Sequence, residues 1–463
     1  MILEVMDREL IEKGFEPLRG IKALVVGLGR SGLSALSLLR EAGAYVYATD
    51  RAVPSPLPEG VELVPYGEVP GGTELVVSSP GVAPEEEVLR KAKRKGIELI
   101  GELELTYRVL ESLGIPWIAV TGTNGKSTTT SLIDFMLRLS GLKVVTGGNI
   151  GEAIGQKVLP LIRDGSILST DYIVAEVSSF QLETIERFRP QIALVLNITP
   201  DHLDRYNSMD EYIEAKRAIT KNQKEQDWII LNQDDPIVRG FSDDSPARAL
   251  YFSIKEQTTG GYLREGSLYI SINDREVELV SADAMPIKGA HNVENALAAS
   301  LATYIVTAEP EPIRKALRQF RGLEHRMELV AVKNGVTYIN DSKGTNVGAV
   351  VKSLEGLTGW VVLILGGRDK GGDFSPLRRF KDRIRRVIAI GEAKTKIRRS
   401  LGDSLVIEDA EDMFDAVKKA SGVALRGDTV LLSPGCASFD MFRSFEHRGE
   451  VFKEAVKRLE KNE

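Results

Sequence analysis

A glycine-rich loop between an apolar segment and an amphipathic one constrains the fold of this chain more than any other feature. Residues 115–120 are apolar, residues 121–130 read TGTNGKSTTT, and apolar positions then recur from Leu132 to Leu139 at helical spacing. The pattern predicts a strand, a tight loop and a helix. Backbone N–H groups in such a loop, together with the helix N-terminus, can hold phosphate oxygens. Lys126 can reach the outer phosphates, and Ser127 can ligate Mg²⁺.

The loop is a variant of the common phosphate-binding pattern, because Val120 stands where that pattern has a glycine. A glycine-rich turn with an exposed lysine is the alternative interpretation. The flanking strand and helix favour phosphate binding. The residues predicted to bind the nucleotide here are Gly122, Thr123, Asn124, Gly125, Lys126, Ser127 and Thr128.

Composition narrows the class of protein. Of 463 residues, 43% are hydrophobic and 27% charged, which allows about three domains with buried cores. The net charge of −6 gives no reason to expect nucleic acid or an anionic membrane as partner. The single cysteine, Cys436, rules out an internal disulfide and a thiolate zinc cluster. No apolar run approaches the roughly 20 residues of a membrane span. We expect a cytoplasmic protein.

The first segment, residues 1–113, carries a dinucleotide-type fingerprint. A strand over 21–26 precedes GLGRSG and a helix, and a second strand ends beside Asp50. Another glycine turn, SSPGV, follows the apolar strand over 75–77. We predict a Rossmann-like lobe with both loops at one sheet edge. A nicotinamide oxidoreductase and a purely structural lobe remain alternatives, because the fingerprint does not identify the nucleotide.

The central segment, residues 114–318, adds acidic and histidine side chains at predicted strand ends. Glu176 follows a buried-type strand and is placed to hold Mg²⁺, although pairing with a lysine is the alternative. His202 lies just past the next strand, where we predict a ligand or orienting role. A capping box at Ser208 and Glu211 starts a helix that contains Lys216, by sequence an ordinary solvent-facing lysine. Residues 249–290 predict a small antiparallel patch on the parallel sheet.

The last segment, residues 319–463, again alternates strands and helices. Its predicted strands end in polar, glycine-bearing loops at 340–346, 366–371, 391–392 and 433–440. Four such loops in one lobe favour a site at the strand ends. The fold predicted for the whole chain is therefore α/β with three domains: a Rossmann-like lobe, a central phosphate-loop parallel sheet with its antiparallel patch, and a C-terminal Rossmann-like lobe.

Eight motifs in order carry a resemblance to the ATP-dependent Mur ligases: TGTNGKST, EVSSFQLE, NITPDHLDRY, EAKRAI, GAHNVENALAA, GLEHRMELV, INDSKGTN and LLSPGCASFDMF. The resemblance covers the whole chain and is greatest to members that add D-glutamate. It implies ATP-dependent amide formation between UDP-N-acetylmuramoyl-L-alanine and D-glutamate through an acyl phosphate, in peptidoglycan precursor synthesis. It also implies that the three domains serve the UDP moiety, ATP and the amino acid in turn.

The resemblance further implies roles for individual residues. Lys126, Glu176, His202 and Lys216 form the catalytic set. Two Mg²⁺ sites involve Ser127, Glu176, His202 and Lys216, with Lys216 carrying a carbamate derived from CO₂. The residues implied for ATP, beyond the loop, are Asn292, Asn295, His325, Arg326, Asp341 and Lys343. Those implied for the UDP moiety are Arg30, Ser31, Asp50, Arg51, Ser79, Pro80 and Gly81. Those implied for the muramoyl group and D-glutamate are Asn149 and His202, and Thr345, Lys370, Ser433 and Phe442.

Two classes of alternative stay open at this point. Within the ligases, a sister Mur ligase or a folylpolyglutamate-type ligase would add another amino acid. Outside them, a nucleotide-binding oxidoreductase or regulator would use the first fingerprint. The phosphate loop together with Glu176 and His202 argues against the oxidoreductase.

Overall fold

The computed structural model describes residues 2–51, 57–149, 151–201, 205–369 and 371–459, with side chains from residue 9 onward. Contacts divide the chain into two compact units, Met1–Phe320 and Arg321–Glu463. Each unit is described by itself. The predicted boundaries at 113 and 318 stay predictions.

The first unit begins with a five-stranded parallel sheet in the order β3-β2-β1-β4-β5. Because β2 and β4 lie on opposite sides of β1, the loops after β1 and β4 diverge at the point where the strand order reverses, which is where ligands bind in such sheets. Its elements are α1 (Ile2–Phe15), β1 (Lys22–Val26), α2 (Arg30–Glu41), β2 (Tyr45–Thr49), β3 (Val61–Leu63), β4 (Leu75–Ser78), α3 (Glu87–Arg94), β5 (Glu98–Gly101) and α4 (Glu102–Glu111).

The same unit continues with a nine-stranded sheet in the order β14-β13-β12-β11-β10-β9-β6-β8-β7. Its elements are β6 (Trp117–Thr121), α5 (Lys126–Leu139), β7 (Val144–Gly148), α6 (Ile154–Arg163), β8 (Tyr172–Glu176), α7 (Ser179–Leu182), β9 (Ile192–Val195), α8 (Met209–Arg217), β10 (Trp228–Asn232), α9 (Pro236–Arg239), β11 (Arg248–Ser253), β12 (Gly260–Arg264), β13 (Ser267–Ile272), β14 (Arg275–Ser281), α10 (Ala290–Thr307) and α11 (Pro310–Gln319).

The predicted antiparallel patch is present but smaller than expected. Only β12, β13 and β14 pair antiparallel, whereas β11 pairs in parallel with both β10 and β12. Residues 248–253 therefore belong to the parallel part of the sheet. Apolar and polar residues alternate in β11 because the strand is exposed at its first residue and buried at its end, and this alternation suggested antiparallel pairing.

Buried apolar side chains cover both faces of the central sheet. Along β6, Trp117 and Ala119 belong to the core shared with the first sheet, while Ile118 and Val120 belong to the core under α5 and α10. Such two-sided burial is typical of parallel strands. Tyr107, Trp117 and Phe188 pack edge to face, with ring centroids 5.5–5.8 Å apart. Because Tyr107 lies on α4, this cluster joins the two sheets into one unit.

The second unit holds a six-stranded sheet in the order β15-β16-β20-β17-β18-β19, parallel except for β15. Its elements are β15 (Glu328–Lys333), β16 (Val336–Asn340), α12 (Val347–Glu355), β17 (Val361–Gly366), β18 (Ile384–Ile390), α13 (Lys394–Leu401), β19 (Ile407–Asp409), α14 (Met413–Val423), β20 (Thr429–Leu432) and α15 (Phe445–Arg458). The predicted α/β class is confirmed. Within the described ranges, none of the helices has the length and apolarity needed to cross a bilayer.

Candidate functional site

The glycine loop connects β6 to α5, as the sequence predicts. Gly122 has φ +148° and Gly125 has φ +83°, both in the region that favours glycine. Lys126 opens α5 and turns back over the loop, where its Nζ donates to the carbonyls of Gly122 (2.8 Å) and Thr123 (2.9 Å). The lysine is thus half-buried against the loop and not an exposed helix residue.

The segment that follows β9 holds the glycine loop from the side. Asn124 donates its backbone N–H to the Oδ1 of Asn197 (2.8 Å), and Thr123 donates to the Asn197 carbonyl (2.8 Å). The Thr123 hydroxyl accepts from the N–H of Thr199 (3.0 Å) and lies 3.0 Å from the Tyr212 hydroxyl. These bonds fix the loop before any ligand arrives, which lowers the entropic cost of binding phosphate.

Asn295 lies behind the loop. Its side chain is buried, and its Oδ1 accepts from the Thr129 hydroxyl (3.3 Å). A Cβ added to Gly125 would lie 2.2 Å from that oxygen. The neighbouring Asn292 is half-buried; it accepts from Asn295 and donates to the Lys288 carbonyl (2.8 Å). The structure therefore gives Asn295 a supporting position under the loop, whatever it contacts in the nucleotide.

Replacing Gly125 with alanine tests how far this packing holds the loop. We expect the free energy of unfolding to fall by more than the roughly 1–3 kcal/mol of left-handed strain alone, because Cβ also meets Asn295. Gly141→Ala is the matched control, since Gly141 also has φ +83° and open space around it. Chemical denaturation and binding of a fluorescent ATP analogue measure both effects. Equal losses in the two variants would show that the contact with Asn295 contributes nothing.

Glu176 ends β8 beside the loop and is almost fully buried. Its Oε1 accepts from the side-chain amide of Asn149 (2.8 Å). Its Oε2 is buried without a hydrogen-bond partner among the described residues. Among the described residues no lysine or arginine donates to this oxygen, so the alternative of a lysine pair finds no support there. An unpaired buried carboxylate oxygen is costly, and a bound cation would relieve that cost.

Lys216 is the largest departure from the sequence-based expectation. The helix α8 begins as predicted, with Ser208 capping the N–H of Glu211 (3.2 Å), although the Glu211 carboxylate binds the N–H of Asn207 instead of closing the box. Lys216 nevertheless faces inward and is only 2% exposed. The expected solvent-facing lysine is wrong because this helix packs its last turn onto the loop.

The Nζ of Lys216 donates to the Gly122 carbonyl (2.9 Å) and lies 4.7 Å from the Tyr212 ring centroid. Lys126 donates to the same carbonyl. Burial and, after it, repulsion by Lys126 lower the pKa of Lys216 to about 7, while the charge of Asp201 opposes both effects. A lysine in this setting can be uncharged near neutral pH. His202, predicted as a catalytic residue, metal ligand and substrate contact, lies outside the described residues.

A cleft of about 410 Å³ opens between the loops of the first sheet and the loop after β7. All eight residues implied for the UDP and muramoyl groups, His202 aside, line it: Arg30, Ser31, Asp50, Arg51, Ser79, Pro80, Gly81 and Asn149. The Asp50 carboxylate accepts from the N–H of Leu28, and the Ser79 hydroxyl donates to the Gly27 carbonyl (2.7 Å). The two glycine turns thus lie against each other, as the sequence predicts for loops at one sheet edge.

The cleft also contains residues that sequence reasoning missed. Tyr66 and Glu86 line it, and the Tyr66 hydroxyl donates to the Glu86 carboxylate (2.8 Å). Arg51 pairs with Glu86 (2.7 Å) and its guanidinium lies 5.3 Å from the Tyr66 ring centroid. Burial raises the pKa of Tyr66, so its hydroxyl stays protonated. No motif surrounds Tyr66 in the sequence, and only the folded chain brings it to Arg51.

In the second unit, two strand ends bring predicted residues into contact. Asp341 follows β16 and is buried; its Oδ2 accepts from Ser433 (2.7 Å) after β20 and from Ser353 (2.6 Å). Burial raises the pKa of Asp341. Ser433 is fully buried, so its hydroxyl serves Asp341 in this structure. Thr345 and Phe442 are partly exposed on the same loops. Lys370 lies outside the described residues.

His325, which the resemblance implies as a nucleotide contact, is buried in the second unit. It is 5% exposed, and its Nδ1 lies 2.9 Å from the side-chain nitrogen of Asn340. Lys343 lies nearby on the loop after β16, with its Nζ 5.8 Å from the Phe445 ring centroid. Arg326, between His325 and Met327, is partly exposed. Of these implied nucleotide contacts, Arg326 and Lys343 are therefore the accessible ones.

Three family models match successive parts of the chain. They are described as "Mur ligase MurD-like, N-terminal domain" (residues 21–101), "Mur ligase middle domain" (residues 120–303) and "Mur ligase, glutamate ligase domain" (residues 325–436). Among solved structures, the UDP-N-acetylmuramate–alanine ligase of Thermotoga maritima aligns with TM-score 0.58 and 20% identity over 95% of this chain and all of that one. A pseudomurein peptide ligase of Methanothermus fervidus aligns with TM-score 0.57 and 21% identity over the same shares. At these identities the likeness shows the fold alone.

Curated relatives match over nearly the full length. The UDP-N-acetylmuramoylalanine–D-glutamate ligase of Caldanaerobacter subterraneus subsp. tengcongensis is 42% identical over 94% of this chain and 98% of its own length. The enzyme of the same name from Koribacter versatilis is 42% identical over 96% of this chain and 99% of its own length. These matches agree with the glycine loop and with the buried Glu176 and Lys216 beside it. The chain therefore belongs to the Mur ligase family.

Proposed function

We propose that this protein joins D-glutamate to UDP-N-acetylmuramoyl-L-alanine in an ATP-dependent reaction that releases ADP and phosphate. The observation that carries the proposal is the arrangement of Lys126, Glu176 and Lys216 around one glycine loop, in the unit that also holds the cleft proposed for the UDP moiety. Two curated relatives, each 42% identical over 94% or 96% of this chain, are named UDP-N-acetylmuramoylalanine–D-glutamate ligase. The reaction belongs to peptidoglycan precursor synthesis, which we place in the cytoplasm.

The chemistry needs an activated carboxylate. An oxygen of the substrate carboxylate attacks the γ-phosphorus of ATP, ADP leaves, and an acyl phosphate results. The amine of D-glutamate then attacks the carbonyl carbon, the tetrahedral intermediate collapses, and phosphate leaves with the C–O electron pair. Both reactants of the first step are anionic, so fixed positive groups must lie where their charges meet. Lys126 and the loop N–H groups supply part of that positive field.

The position of Glu176 suits a metal ligand. Its buried, unpaired Oε2 is the kind of oxygen that Mg²⁺ prefers, and Ser127 is buried at the first turn of α5. We propose that Ser127 and Glu176 hold one Mg²⁺, and that Glu176, His202 and a modified Lys216 hold a second. When bound, Mg²⁺ would neutralise phosphate charge and polarise the phosphoryl oxygens.

Lys216 fits the role of a carbamate carrier. Only an uncharged amine can add CO₂, and burial brings the pKa of Lys216 to about 7. The carbamate would replace a cation by a carboxylate-like ligand at a buried position, where a lysine side chain reaches further than an acid. At 2% exposure the group is also shielded from bulk water.

A pH dependence follows from the same lowered pKa. Because the unfolded lysine binds its proton up to about pH 10.5 while the folded one releases it near pH 7, the unfolded state holds more protons between these values. The free energy of unfolding should therefore rise with pH in this window, by roughly 5 kcal/mol in total. The cost of the charged lysine is fully present below about pH 7.

The measurement compares metal-free, CO₂-free wild type with Lys216→Met by urea denaturation at several pH values. The stability difference between the two proteins should shrink as pH rises. Uptake of labelled bicarbonate, followed by NMR, should likewise fall below about pH 7. A stability difference that does not change with pH would show that Lys216 keeps an ordinary pKa in the folded protein.

The remaining assignments are part of the proposal. Arg30, Ser31, Asp50, Arg51, Ser79, Pro80 and Gly81 bind the UDP moiety, Asn149 and His202 contact the muramoyl part, and Asn292, Asn295, Arg326, Asp341 and Lys343 serve ATP. Thr345, Lys370, Ser433 and Phe442 surround D-glutamate, whose two carboxylates suit a lysine, hydroxyls and helix N-termini. We propose that the enzyme acts as a monomer.

The deciding experiment measures phosphate release from ATP and Mg²⁺ with UDP-N-acetylmuramoyl-L-alanine, one amino acid at a time. We expect release only with D-glutamate. Release with a different amino acid would move the protein to a sister Mur ligase. A folylpolyglutamate-type ligase would instead require a folate acceptor. No release with any amino acid would revive the oxidoreductase or regulator interpretation of the first fingerprint.

A further inference from the structure

The turn that carries Arg326 is strained on both sides. His325 has φ +63° and Met327 has φ +45°, although neither is glycine. A non-glycine residue in this conformation is strained and persists only where its surroundings leave no alternative. The contacts of this turn therefore identify the residues that keep it in its strained conformation.

Hydrogen bonds hold the turn, among them one from the N–H of Arg326 to the Leu323 carbonyl (3.2 Å). The N–H of His325 donates to Glu328 Oε2 (2.8 Å), and the His325 carbonyl accepts from the N–H of Lys343 (3.0 Å). The N–H of Met327 donates to Asp341 Oδ1 (3.3 Å). The His325 ring is fixed through Nδ1 by the side chain of Asn340 (2.9 Å).

Asn340 connects two of these restraints. It is fully buried at the end of β16, and its Nδ2 faces three acceptors: His325 Nδ1 (2.9 Å), Glu328 Oε2 (2.9 Å) and the Gly449 carbonyl (3.4 Å). The oxygen of Glu328 is the one that caps the N–H of His325. Asn340 Oδ1 accepts from the N–H of Ser342 (3.1 Å).

These contacts also fix the orientation of the amide. A flipped amide would place its oxygen against the Glu328 carboxylate and the Gly449 carbonyl, which is repulsive. With Nδ2 as donor, His325 Nδ1 is an acceptor, so the proton of the neutral ring is on Nε2, 3.6 Å from the Glu450 carboxylate. The helix α15 approaches so closely that a Cβ on Gly449 would lie 2.1 Å from His325 Nδ1.

We infer that Asn340 is a positioning residue for Arg326: its amide fixes the His325 ring and Glu328, and through them the strained turn that carries Arg326. The inference rests on the proposed function, in which Arg326 contacts ATP. Asn340 itself touches no substrate. Its role is to keep the left-handed turn from relaxing, so that Arg326 is already in place when the nucleotide binds.

Two variants and one control test this. Asn340→Asp keeps the size of the side chain. It replaces the Nδ2 donor, which faces three acceptors, with an oxygen that is itself an acceptor. In Gly449→Ala the added Cβ pushes the His325 ring, while the Asn340 side chain itself is unchanged. Gly422→Ala is the matched control, because Gly422 also lies in a helix, α14, with open space around it. The measurements are kcat, the KM for each of the three substrates, and the thermal midpoint.

We expect the KM for ATP to rise at least about tenfold in Asn340→Asp and several-fold in Gly449→Ala. The KM values for D-glutamate and the UDP-linked substrate should stay within about twofold, and Gly422→Ala should match wild type. A uniform change in all three KM values, or a lower thermal midpoint with every KM unchanged, would overturn the inference. If Asn340→Asp does not fold, Gly449→Ala decides by the same criteria.

The failure of the proposed function gives a different result. Wild-type protein that releases no phosphate with D-glutamate would refute that function, and with it the role of Arg326. Wild-type turnover combined with unchanged ATP KM in folded variants refutes only the positioning role of Asn340.

Discussion

Replacing Lys216 with alanine is expected to reduce kcat by at least about 10³-fold, because it removes a ligand that acts where negative charge develops. The side chain is buried against the Gly122 carbonyl, so its loss also leaves a space beside the loop. A short carboxylate such as acetate or formate fits such a space and can replace the carbamate. We therefore expect partial recovery of activity in a concentration-dependent manner, measured as phosphate release.

Lys221→Ala is the control for this variant. Lys221 lies just beyond α8, is half-exposed and binds the Ile185 carbonyl and Glu186 (both 3.1 Å) at the surface. It should keep near wild-type activity and show no response to carboxylates. Absence of rescue in Lys216→Ala, together with an unmodified lysine in active enzyme, would refute the carbamate.

Replacing Glu176 with glutamine should separate activity from stability. The amide keeps the acceptor for Asn149 but removes the charge and the unpaired Oε2. We expect a loss of about 10³-fold or more in kcat, as for other removed charge-stabilising groups. In the absence of Mg²⁺ the free energy of unfolding should stay the same or rise by about 1–2 kcal/mol, because a buried charge disappears and the unpaired amide nitrogen that replaces Oε2 is neutral.

The measurements are phosphate release, urea denaturation and the rise in thermal midpoint on adding Mg²⁺ with an ATP analogue. The midpoint rise should shrink in Glu176→Gln, because the cation loses a ligand. Glu186→Gln is the control, since Glu186 is an exposed carboxylate in a surface pair. A variant that loses stability and activity together would identify Glu176 as a structural residue.

Much of the fold follows from local patterns. The glycine loop between β6 and α5, the parallel strands and the polar loops at their ends were all predicted, because burial on two faces and tight turns leave clear sequence signals. The extent of the antiparallel patch was less clear. The strand β11 belongs to the parallel part of the sheet because of the strands it pairs with. The sequence of such a short strand does not indicate whether its pairing is parallel or antiparallel.

Only part of the candidate site could be predicted from the sequence. The eight cleft residues were found through motifs, and the structure brings them together. Tyr66 was missed because it comes from an irregular stretch and reaches Arg51 only in the folded chain. The contacts of Asn340 and Gly449 with the His325 ring likewise appear only in the folded chain.

The class of fold, the phosphate loop and the family can be predicted from the amino-acid sequence, because they depend on short runs of residues with strong local preferences. The environment of each side chain depends on how the chain packs. On α8 nothing in the sequence marks Lys216 as different from a surface lysine, yet packing onto the loop buries it and lowers its pKa to about 7. Desolvation and neighbouring charge are properties of the assembled site, and they determine what a lysine or a glutamate can do there.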